Sequence, residues 1–452
     1  MRVVEIFIDG YKNIRNTRLK FPNPMAVLLS KNNFGKSNII EGIACGYKFL
    51  GLSTESAHKF VKERGYASIF HDDDERFTFE VQFKKDSDSS QLYRYKYVLG
   101  KINVSEMLKE GMDEDKIADI LPPTRFGFCE EELAYKNDEN DENWRYLLIK
   151  DVQSPNAIFI HKKDEPEEKM RSHFDVRYNF AFIRSFFKYY GEDYAELDGG
   201  SHQAERKFSE TFAEIRDIYS IFAKDMHGDV VLDIDSNPDD FNGLFEKLDK
   251  LEKVDKLEKV NATEFGFFTE VFMKLMPEYT SVALSRDDAD EPYLVFASRR
   301  KKRSETVKTL SSGTKRILRI LEGVYFNAAP IICVEELENG VHPKLRDDLL
   351  NSIMEILERK EGRSPVLIAT SHSTSLINLF NNYLDSIYIG LDGYMREDDA
   401  AWARFVGFSQ KGKEEIVAEM EKINNFSEIG RLIYNYDEAE KYSAKLRSWL
   451  ED

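Results

Sequence analysis

The sequence predicts an α/β fold in which the two ends of the chain build one parallel sheet. An apolar run at 25–29 precedes a glycine-containing loop at 30–37 and a helical pattern at 38–47, the strand, loop and helix order of a phosphate-binding loop. After residue 312, short apolar runs alternate with helical patterns, which is typical of a parallel sheet with crossover helices. Between these ends, a two-residue period predicts an antiparallel lobe and helical periods predict an insertion.

These patterns divide the chain into five segments. The lobe is expected to contain strands at 77–83, 93–99, 125–129, 144–149 and 157–160, and the insertion to contain helices at 180–190, 203–222 and 239–260. The expected segments are 1–65, the first part of the parallel-sheet domain with the phosphate-binding loop; 66–169, the antiparallel lobe; 170–280, the helical insertion or arm; 281–400, the second part of that domain; and 401–452, a helical C-terminal tail.

Composition restricts the class of protein and its partners. The chain has 452 residues, of which 42% are apolar, so a large core is expected. Its formal net charge of −18 repels nucleic acid, so any contact with DNA or RNA needs a local basic patch. The run at 299–303 is the candidate patch, although such a run is more often a solvated hairpin end.

Cysteine usage and hydropathy indicate a cytoplasmic protein. Three scattered cysteines, Cys45, Cys129 and Cys333, do not form the pattern of a disulfide framework or a zinc knuckle. The N-terminus has no signal-peptide pattern, and no uncharged apolar stretch reaches the roughly 18 residues of a membrane span. We therefore expect no membrane partner.

The loop at 30–37 carries the groups that phosphates require. Backbone amides and a helix N-terminus would surround the phosphates, Lys36 would supply an ammonium, and the Ser37 hydroxyl would bind magnesium. Ser30 stands where such loops often have glycine, which raises the question of whether the loop keeps its geometry. The candidate nucleotide-binding residues here are Ser30, Asn32, Asn33, Gly35, Lys36, Ser37 and Asn38.

Polar residues follow two later apolar runs. Glu335 and Glu336 close the run at 331–334, and His372 follows the run at 366–369. Because the carboxyl ends of parallel strands share one edge, these groups are expected to face the phosphate loop. Glu336 is the candidate general base, Glu335 the candidate magnesium ligand, and His372 a candidate for contacting the γ-phosphate or orienting the water. The alternatives are that Glu335 and Glu336 are simply a solvated strand end and that His372 is an ordinary surface residue.

The ordered set of short segments resembles a known group of ATPases. The matching segments are 13–15, 31–38, 310–316, 335–343 and 371–373. The set is similar to the ABC-type ATPase head of the SMC, RecF and OLD group, and in detail to the "AAA15" ATPases of antiphage systems. Departures from the pattern are Ser30 for glycine, Glu335 for aspartate and Leu337 for proline.

This resemblance implies a fold, two cofactors and a set of partners. The implied fold is an ABC-ATPase head, a mixed or parallel sheet with the phosphate loop plus an antiparallel lobe, interrupted by a helical insertion. ATP and Mg²⁺ are the implied cofactors, and Gln82 is a candidate metal-sensing glutamine, with an ordinary sheet residue as the alternative. Ser311, Ser312 and Gly313 would contact the γ-phosphate held by a second copy, so hydrolysis would require at least a head-to-tail dimer.

Three related classes fit the sequence less well. In transporter ATPases, the phosphate loop and the segment equivalent to 310–316 lie much closer together in sequence than they do here. The arms of SMC and Rad50 proteins are far longer than the insertion in this chain. OLD nucleases carry a nuclease domain after the histidine, for which this chain has too few residues. The resemblance therefore points to the ATPase subunit of a two-component antiphage system such as PARIS or Septu. Such a subunit would hold a separate effector, a nuclease, until a phage protein triggers it. A RecF-like DNA-repair ATPase that binds DNA through 299–303 is the alternative, and ATP-driven closure with negligible turnover is a third possibility.

Overall fold

The computed structural model describes most of the two ends of the chain and less of its middle. The helices predicted at 180–190, 203–222 and 239–260 lie outside the described residues, apart from residues 241 and 244. The described residues are 2–30, 34–50, 54–70, 76–85, 89–103, 124–150, 157–160, 173–175, 231–233, 241, 244, 262–289, 291–300, 304–326, 329–339, 341–359, 365–372, 380–393, 402–422 and 448–450.

The two ends of the chain share one six-stranded sheet, as predicted. Strand β3 (Met25–Leu29) lies between β15 (Val366–Ser371) and β16 (Ile387–Gly393) and runs parallel to both. Strand β14 (Ile331–Val334) pairs in parallel with the other side of β15. Every residue of β3, β14 and β15 is buried, which is why these strands are continuous apolar runs. Short edge strands complete the sheet: β10 (Val231–Asp233) beside β14, and β17 (Trp402–Gly407) antiparallel to β16.

A second sheet has eight antiparallel strands. Phenylalanine and tyrosine side chains alternate with polar ones along its central strands, so one face packs on the core and the other carries charges. The strand order is β2-β1-β4-β5-β6-β7-β8-β9. The bounds are β1 (Arg2–Asp9), β2 (Thr17–Lys20), β4 (Arg76–Lys84), β5 (Leu92–Asn103), β6 (Thr124–Lys136), β7 (Arg145–Lys150), β8 (Ala157–Ile160) and β9 (His173–Asp175).

Helices and a small third sheet cover the parallel sheet. The third sheet contains β11 (Tyr279–Arg286), β12 (Pro292–Ser298) and β13 (Glu305–Thr306). The described α-helices are α1 (Lys36–Leu50), α2 (Thr54–Arg64), α3 (Ala262–Leu275), α4 (Ser312–Phe326), α5 (Pro343–Arg359) and α6 (Gln410–Lys422). Short 3₁₀ turns lie at Tyr66–Ser68, Val307–Thr309 and Phe380–Ser386.

The parallel sheet separates two hydrophobic cores. Met25, Val27 and Leu29 of β3 join the core that contains α3, α4 and α5. Ala26 and Leu28, which point to the opposite face, join the core that contains α1 and the antiparallel sheet. This three-layer arrangement buries both faces of the strands whose carboxyl ends carry the candidate site residues.

Strand pairing crosses three of the predicted boundaries. The boundary after residue 65 divides one sheet, because β1 pairs with β4. The segment 170–280 was expected to be helical, yet it contributes β10 to the parallel sheet and α3 to its core. The expected helical tail from residue 401 begins with β17, which pairs with β16 and places Phe405 in the core. The pairings of β1 and β10 join strands that are far apart in the chain, whereas β17 pairs with the strand that precedes it.

Candidate functional site

The loop between β3 and α1 requires glycine at position 35. Gly35 has a φ of +107°, and a Cβ there would lie 2.8 Å from Oδ1 of Asn13. Asn13 donates from Nδ2 to the carbonyl of Phe34 over 3.3 Å and accepts from Nδ2 of Asn38 over 2.8 Å. The carbonyl of Asn13 in turn accepts from the amide of Ala403 over 2.7 Å. The segment at 13–15 therefore shapes the phosphate loop and anchors it to β17.

Lys36 is a buried cation at the carboxyl edge of the parallel sheet. It is 6% exposed, and its Nζ donates to the Ser30 carbonyl over 2.8 Å and lies 3.3 Å from Nδ1 of His372. Burial lowers the pKa of Lys36 to about 8, against the attraction of Glu336, Glu338 and Glu335, which raises it. A desolvated ammonium at this position is well suited to hold an anionic phosphate.

Ser30 keeps the loop geometry without glycine. Among the described residues other than glycine, only Lys12, Asn16 and Glu336 have a positive φ, so Ser30 does not occupy the left-handed region. Its side chain is buried, and its Oγ lies 3.3 Å from Nζ of Lys36. A Cβ on Gly390 of β16 would lie only 2.6 Å from Cβ of Ser30. Because Gly390 has no side chain, there is room at this point for the side chain of Ser30.

The remaining predicted residues of the loop are only partly described. Ser37 is exposed in the first turn of α1, where a hydroxyl is free to meet a ligand. Asn38 is occupied by its hydrogen bond to Asn13. Asn32 and Asn33 lie outside the described residues, as does Lys31.

Glu335 and Glu336 follow β14 directly, at the same edge as Lys36. Glu336 has a φ of +47°, which costs a residue with a side chain about 1–2 kcal/mol. The Thr370 hydroxyl accepts from the Glu336 amide over 2.8 Å, and Arg316 donates to the carbonyls of both glutamates. Contacts from β15 and α4 therefore hold this strained turn in place.

His372 connects the cation to the candidate base. Its Nε2 lies 3.4 Å from Oε1 of Glu336, and its Nδ1 lies 3.3 Å from Nζ of Lys36. Because an ammonium only donates, Nδ1 is the acceptor, and a neutral ring then carries its proton on Nε2, facing the carboxylate. The structure thus brings Lys36, His372 and Glu336 together in one row.

Gln82 does not join this group. It lies in β4, where its Nε2 donates to Glu5 over 2.8 Å and to Glu80 over 2.9 Å. Glu5 lines a cavity with Pro22 and Asp385, which precede β3 and β16, so this is the opposite edge of the parallel sheet. The structure therefore places Gln82 apart from the other candidate metal ligands, with its amide used within the antiparallel sheet.

The segment at 310–313 presents a polar helix N-terminus. Leu310 is anchored in the core, whereas Ser311 and Ser312 are exposed and Gly313 is half-buried. The Ser311 hydroxyl accepts from the amide of Thr314 over 3.2 Å and so caps α4. Within the described parts of the chain, no hydrogen bond joins 311–313 to the phosphate loop. The N-terminus of α4 is thus accessible to a second molecule.

The oxygen atoms at the carboxyl edge of the parallel sheet are suited to a metal ion that is bound together with a nucleotide. Among the described residues, no group of three or more His, Cys, Asp or Glu side chains is arranged to hold a metal ion. Mg²⁺ usually keeps several waters and is held by one or two protein groups plus substrate phosphates. The exposed hydroxyl of Ser37 and the half-buried Glu335 match this pattern.

The basic run is a hairpin end where it is described. Arg299 and Arg300 are exposed directly after β12, and the Arg299 amide donates to the carbonyl of Glu278 over 2.8 Å. Residues 301–303 lie outside the described ranges. None of the helices in the described ranges is both long and apolar enough to pass through a bilayer.

The sequence analysis assigned no role to three residues that hold the carboxyl edge of the parallel sheet together. Thr370 and Arg316 hold the Glu336 turn, and Glu338 accepts hydrogen bonds at the end of β15. The only sequence signal for Glu338 is its position two residues after Glu336. Its partner segment lies more than thirty residues away in sequence, so the contact depends on the parallel pairing of β14 with β15.

Comparison with solved structures finds similarity to SMC head domains. The SMC head bound to the C-winged-helix domain of ScpA has 12% identity and a TM-score of 0.43, covering 91% of this chain and 99% of that chain. The Thermotoga maritima SMC head domain has 10% identity and a TM-score of 0.39, with coverages of 90% and 100%. The SMC head with an extended coiled coil, bound to the ScpA C-terminal domain, from Pyrococcus furiosus has 12% identity and a TM-score of 0.39, with coverages of 93% and 99%.

No curated protein sequence matches the chain. A family match covers residues 26–378, which include the phosphate loop, the segment at 310–316, the Glu335–Glu336 pair and His372. The matching family is described as "AAA domain, putative AbiEii toxin, Type IV TA system". The match extends over well more than half of the sequence, and the chain therefore belongs to this family of AAA domains.

Proposed function

We propose that this chain binds ATP with Mg²⁺ and hydrolyses the ATP in a head-to-tail assembly of at least two copies. The observation that carries the proposal is the row of Lys36, His372 and Glu336 at one edge of the parallel sheet, with successive gaps of 3.3 Å and 3.4 Å. A buried cation, a neutral imidazole and a half-exposed carboxylate are the groups that phosphoryl transfer to water uses.

Each residue of the row has a distinct role in this proposal. Lys36 neutralises charge on the phosphate oxygens, and its contact with His372 is exchanged for a contact with phosphate. His372 then donates from its ring to the terminal phosphate or the attacking water. Glu336, released from His372, accepts the proton of that water as general base. Mg²⁺, held through Ser37 and Glu335, would neutralise charge that develops on the phosphate oxygens.

The exposure of the α4 N-terminus supports the proposed head-to-tail arrangement. Its amides and the hydroxyls of Ser311 and Ser312 form a site for an anion, yet the described residues show no contact between it and the phosphate loop of the same chain. In the proposed assembly, the α4 N-terminus of one copy closes the phosphate loop of the other. The oligomer is then assembled by nucleotide.

Turnover measurements on two variants test this proposal. Lys36→Ala should abolish nucleotide binding, because it removes the cation of the loop. Glu336→Gln should keep nucleotide binding, lower the hydrolysis rate at least about a hundredfold and accumulate the ATP-bound dimer in light scattering. Glu358→Gln, which removes an exposed carboxylate on α5, is the matched control and should behave as wild type. Wild-type turnover by either site variant would refute the assignment.

We further propose that the ATPase is the sensor and scaffold of a cytoplasmic antiphage system of the PARIS or Septu kind. The family description names a toxin and a type IV TA system, which supports an association with a toxic effector. The net charge of −18 is compatible with holding a basic partner such as a nuclease until a phage protein triggers release. Copurification of a nuclease encoded beside this gene, lost on exposure to phage protein, is the expected result.

DNA repair is the second candidate, and the exposed Arg299 and Arg300 are the observation that favours it. A repair ATPase of this kind should bind duplex DNA with an affinity that falls steeply with salt. Neutralising the run at 299–303 should abolish that binding. Salt-insensitive or absent DNA binding, together with a copurifying effector, favours the defence role.

A further inference from the structure

Glu338 links the loop after β14 to the end of β15. The loop is pinned to β15 by the Leu337 amide, which donates to the Thr370 carbonyl over 3.0 Å. From this loop, Oε1 of Glu338 accepts from the Ser371 hydroxyl and from the backbone amide of His372, both over 2.9 Å. One carboxylate oxygen therefore holds the last residue of β15 and the residue that follows it, which carries the candidate imidazole.

The second oxygen of the same carboxylate is buried without a hydrogen bond. Oε2 of Glu338 has no partner among the described residues. A buried carboxylate oxygen that lacks a donor costs stability, whereas an amide or an apolar side chain there would avoid burying a charge. A purely structural link between the two strand ends does not need this charge. The charge is therefore available to act on the neighbouring site.

The charge of Glu338 acts on the His372 amide, which it also holds by a hydrogen bond, and on Lys36. Hydrogen bonds to a carboxylate are roughly twice as strong as those to a neutral acceptor, so the charge tightens the hold on the His372 amide. The charge of Glu338 also attracts the Lys36 ammonium. It thus influences the field at Lys36 as well as the position of the His372 backbone.

We propose that Glu338 is a positioning residue that fixes His372 relative to Glu336 and Lys36, so that the loop after β14 and the end of β15 move as one unit during hydrolysis. This inference rests on the proposed ATPase function. Glu338 touches the backbone of His372 and acts on the reaction through it.

Steady-state kinetics of Glu338→Gln tests the positioning role. The amide keeps the shape and one acceptor oxygen but loses the charge, so kcat is expected to fall about tenfold while nucleotide affinity changes less than about threefold. The melting temperature should stay at or above the wild-type value, because the buried unpaired charge is removed. Glu358→Gln again serves as the matched control. A lower melting temperature with unchanged kcat would overturn the proposal in favour of a structural role.

A double-mutant cycle with His372→Ala separates action through the histidine from any independent effect. If Glu338 acts through the imidazole, Glu338→Gln should lower kcat less than about twofold once His372 is alanine. The same tenfold loss in both backgrounds would overturn the inference while leaving the ATPase proposal intact. Absence of turnover in the wild-type chain would instead overturn the proposed function and this inference together.

Discussion

Nucleotide affinity should fall as the pH rises through about 8, because the Lys36 ammonium loses its proton there. Burial lowers the pKa of this lysine from 10.5 to about 8. A bound phosphate favours the charged form, so the pKa of the free site governs the fall in affinity. Between pH 7.5 and pH 9 the charged fraction drops from roughly three quarters to about a tenth, which predicts an affinity loss of about eightfold.

Fluorescence titration with a labelled ATP analogue and Mg²⁺ at a series of pH values measures this loss. Lys36→Arg is the matched control, because a guanidinium stays charged across this range. It should bind more weakly at every pH but without the decline. A constant affinity in the wild type, or an equal decline in Lys36→Arg, would refute the argument from burial of the ammonium.

Two further predictions concern packing, one beside the site and one at the opposite edge of the parallel sheet. Gly390→Ala places a Cβ 2.6 Å from Cβ of Ser30 and 2.7 Å from a ring carbon of Phe34, so urea unfolding should show a loss of about 1–3 kcal/mol. Adding Ser30→Gly should recover part of that loss, and an undiminished loss would contradict the proposed compensation. Trp449→Ala removes a fully buried side chain that donates to Glu415, so a loss of about 3–5 kcal/mol is expected by the same measurement. A loss below about 1 kcal/mol would show that 448–450 is not part of the core.

The sequence predicted where the candidate site residues lie when chain order alone decides which groups meet. The apolar runs of β3, β14 and β15 are each followed at once by polar residues, and parallel pairing brings the carboxyl ends of these strands to one edge. The placement of Lys36 and His372 at that edge followed from this rule. The helices at 38–47 and from 312 were also found, with ends that differ from Lys36–Leu50 and Ser312–Phe326 by a few residues.

The sequence predicted poorly where a residue depends on a distant partner. Gln82 was chosen by resemblance, and only the strand pairing shows that its amide serves Glu5 and Glu80. The replacement of glycine by Ser30 suggested an altered loop, but the compensating Gly390 lies far along the chain in β16. Edge strand β17 was assigned to a helical tail for a different reason: a short strand gains its stability from pairing, here with the preceding strand β16, and not from its own sequence pattern.

Lys36 and Glu336 differ in solvent exposure, and we expect substitutions at these two positions to change different quantities. Lys36 is 6% exposed and lies deep at the edge, whereas the side chain of Glu336 is 47% exposed to solvent. Changes at Lys36 are therefore expected to alter nucleotide affinity, and changes at Glu336 the rate of the chemical step. His372 contacts both residues, so its substitution should affect both quantities.

Mixing two inactive variants tests the central claim that one copy completes the site of another. Lys36→Ala destroys the phosphate loop and keeps 311–313, whereas Ser312→Arg blocks the α4 N-terminus and keeps the loop. In a two-fold head-to-tail dimer, a mixed pair contains one intact site, so an equal mixture should recover about a quarter of the wild-type ATPase rate. Ser281→Arg, at an exposed position of β11, is the control for the added charge and should remain active. Full activity of Ser312→Arg alone, or no recovery in the mixture, would contradict the account.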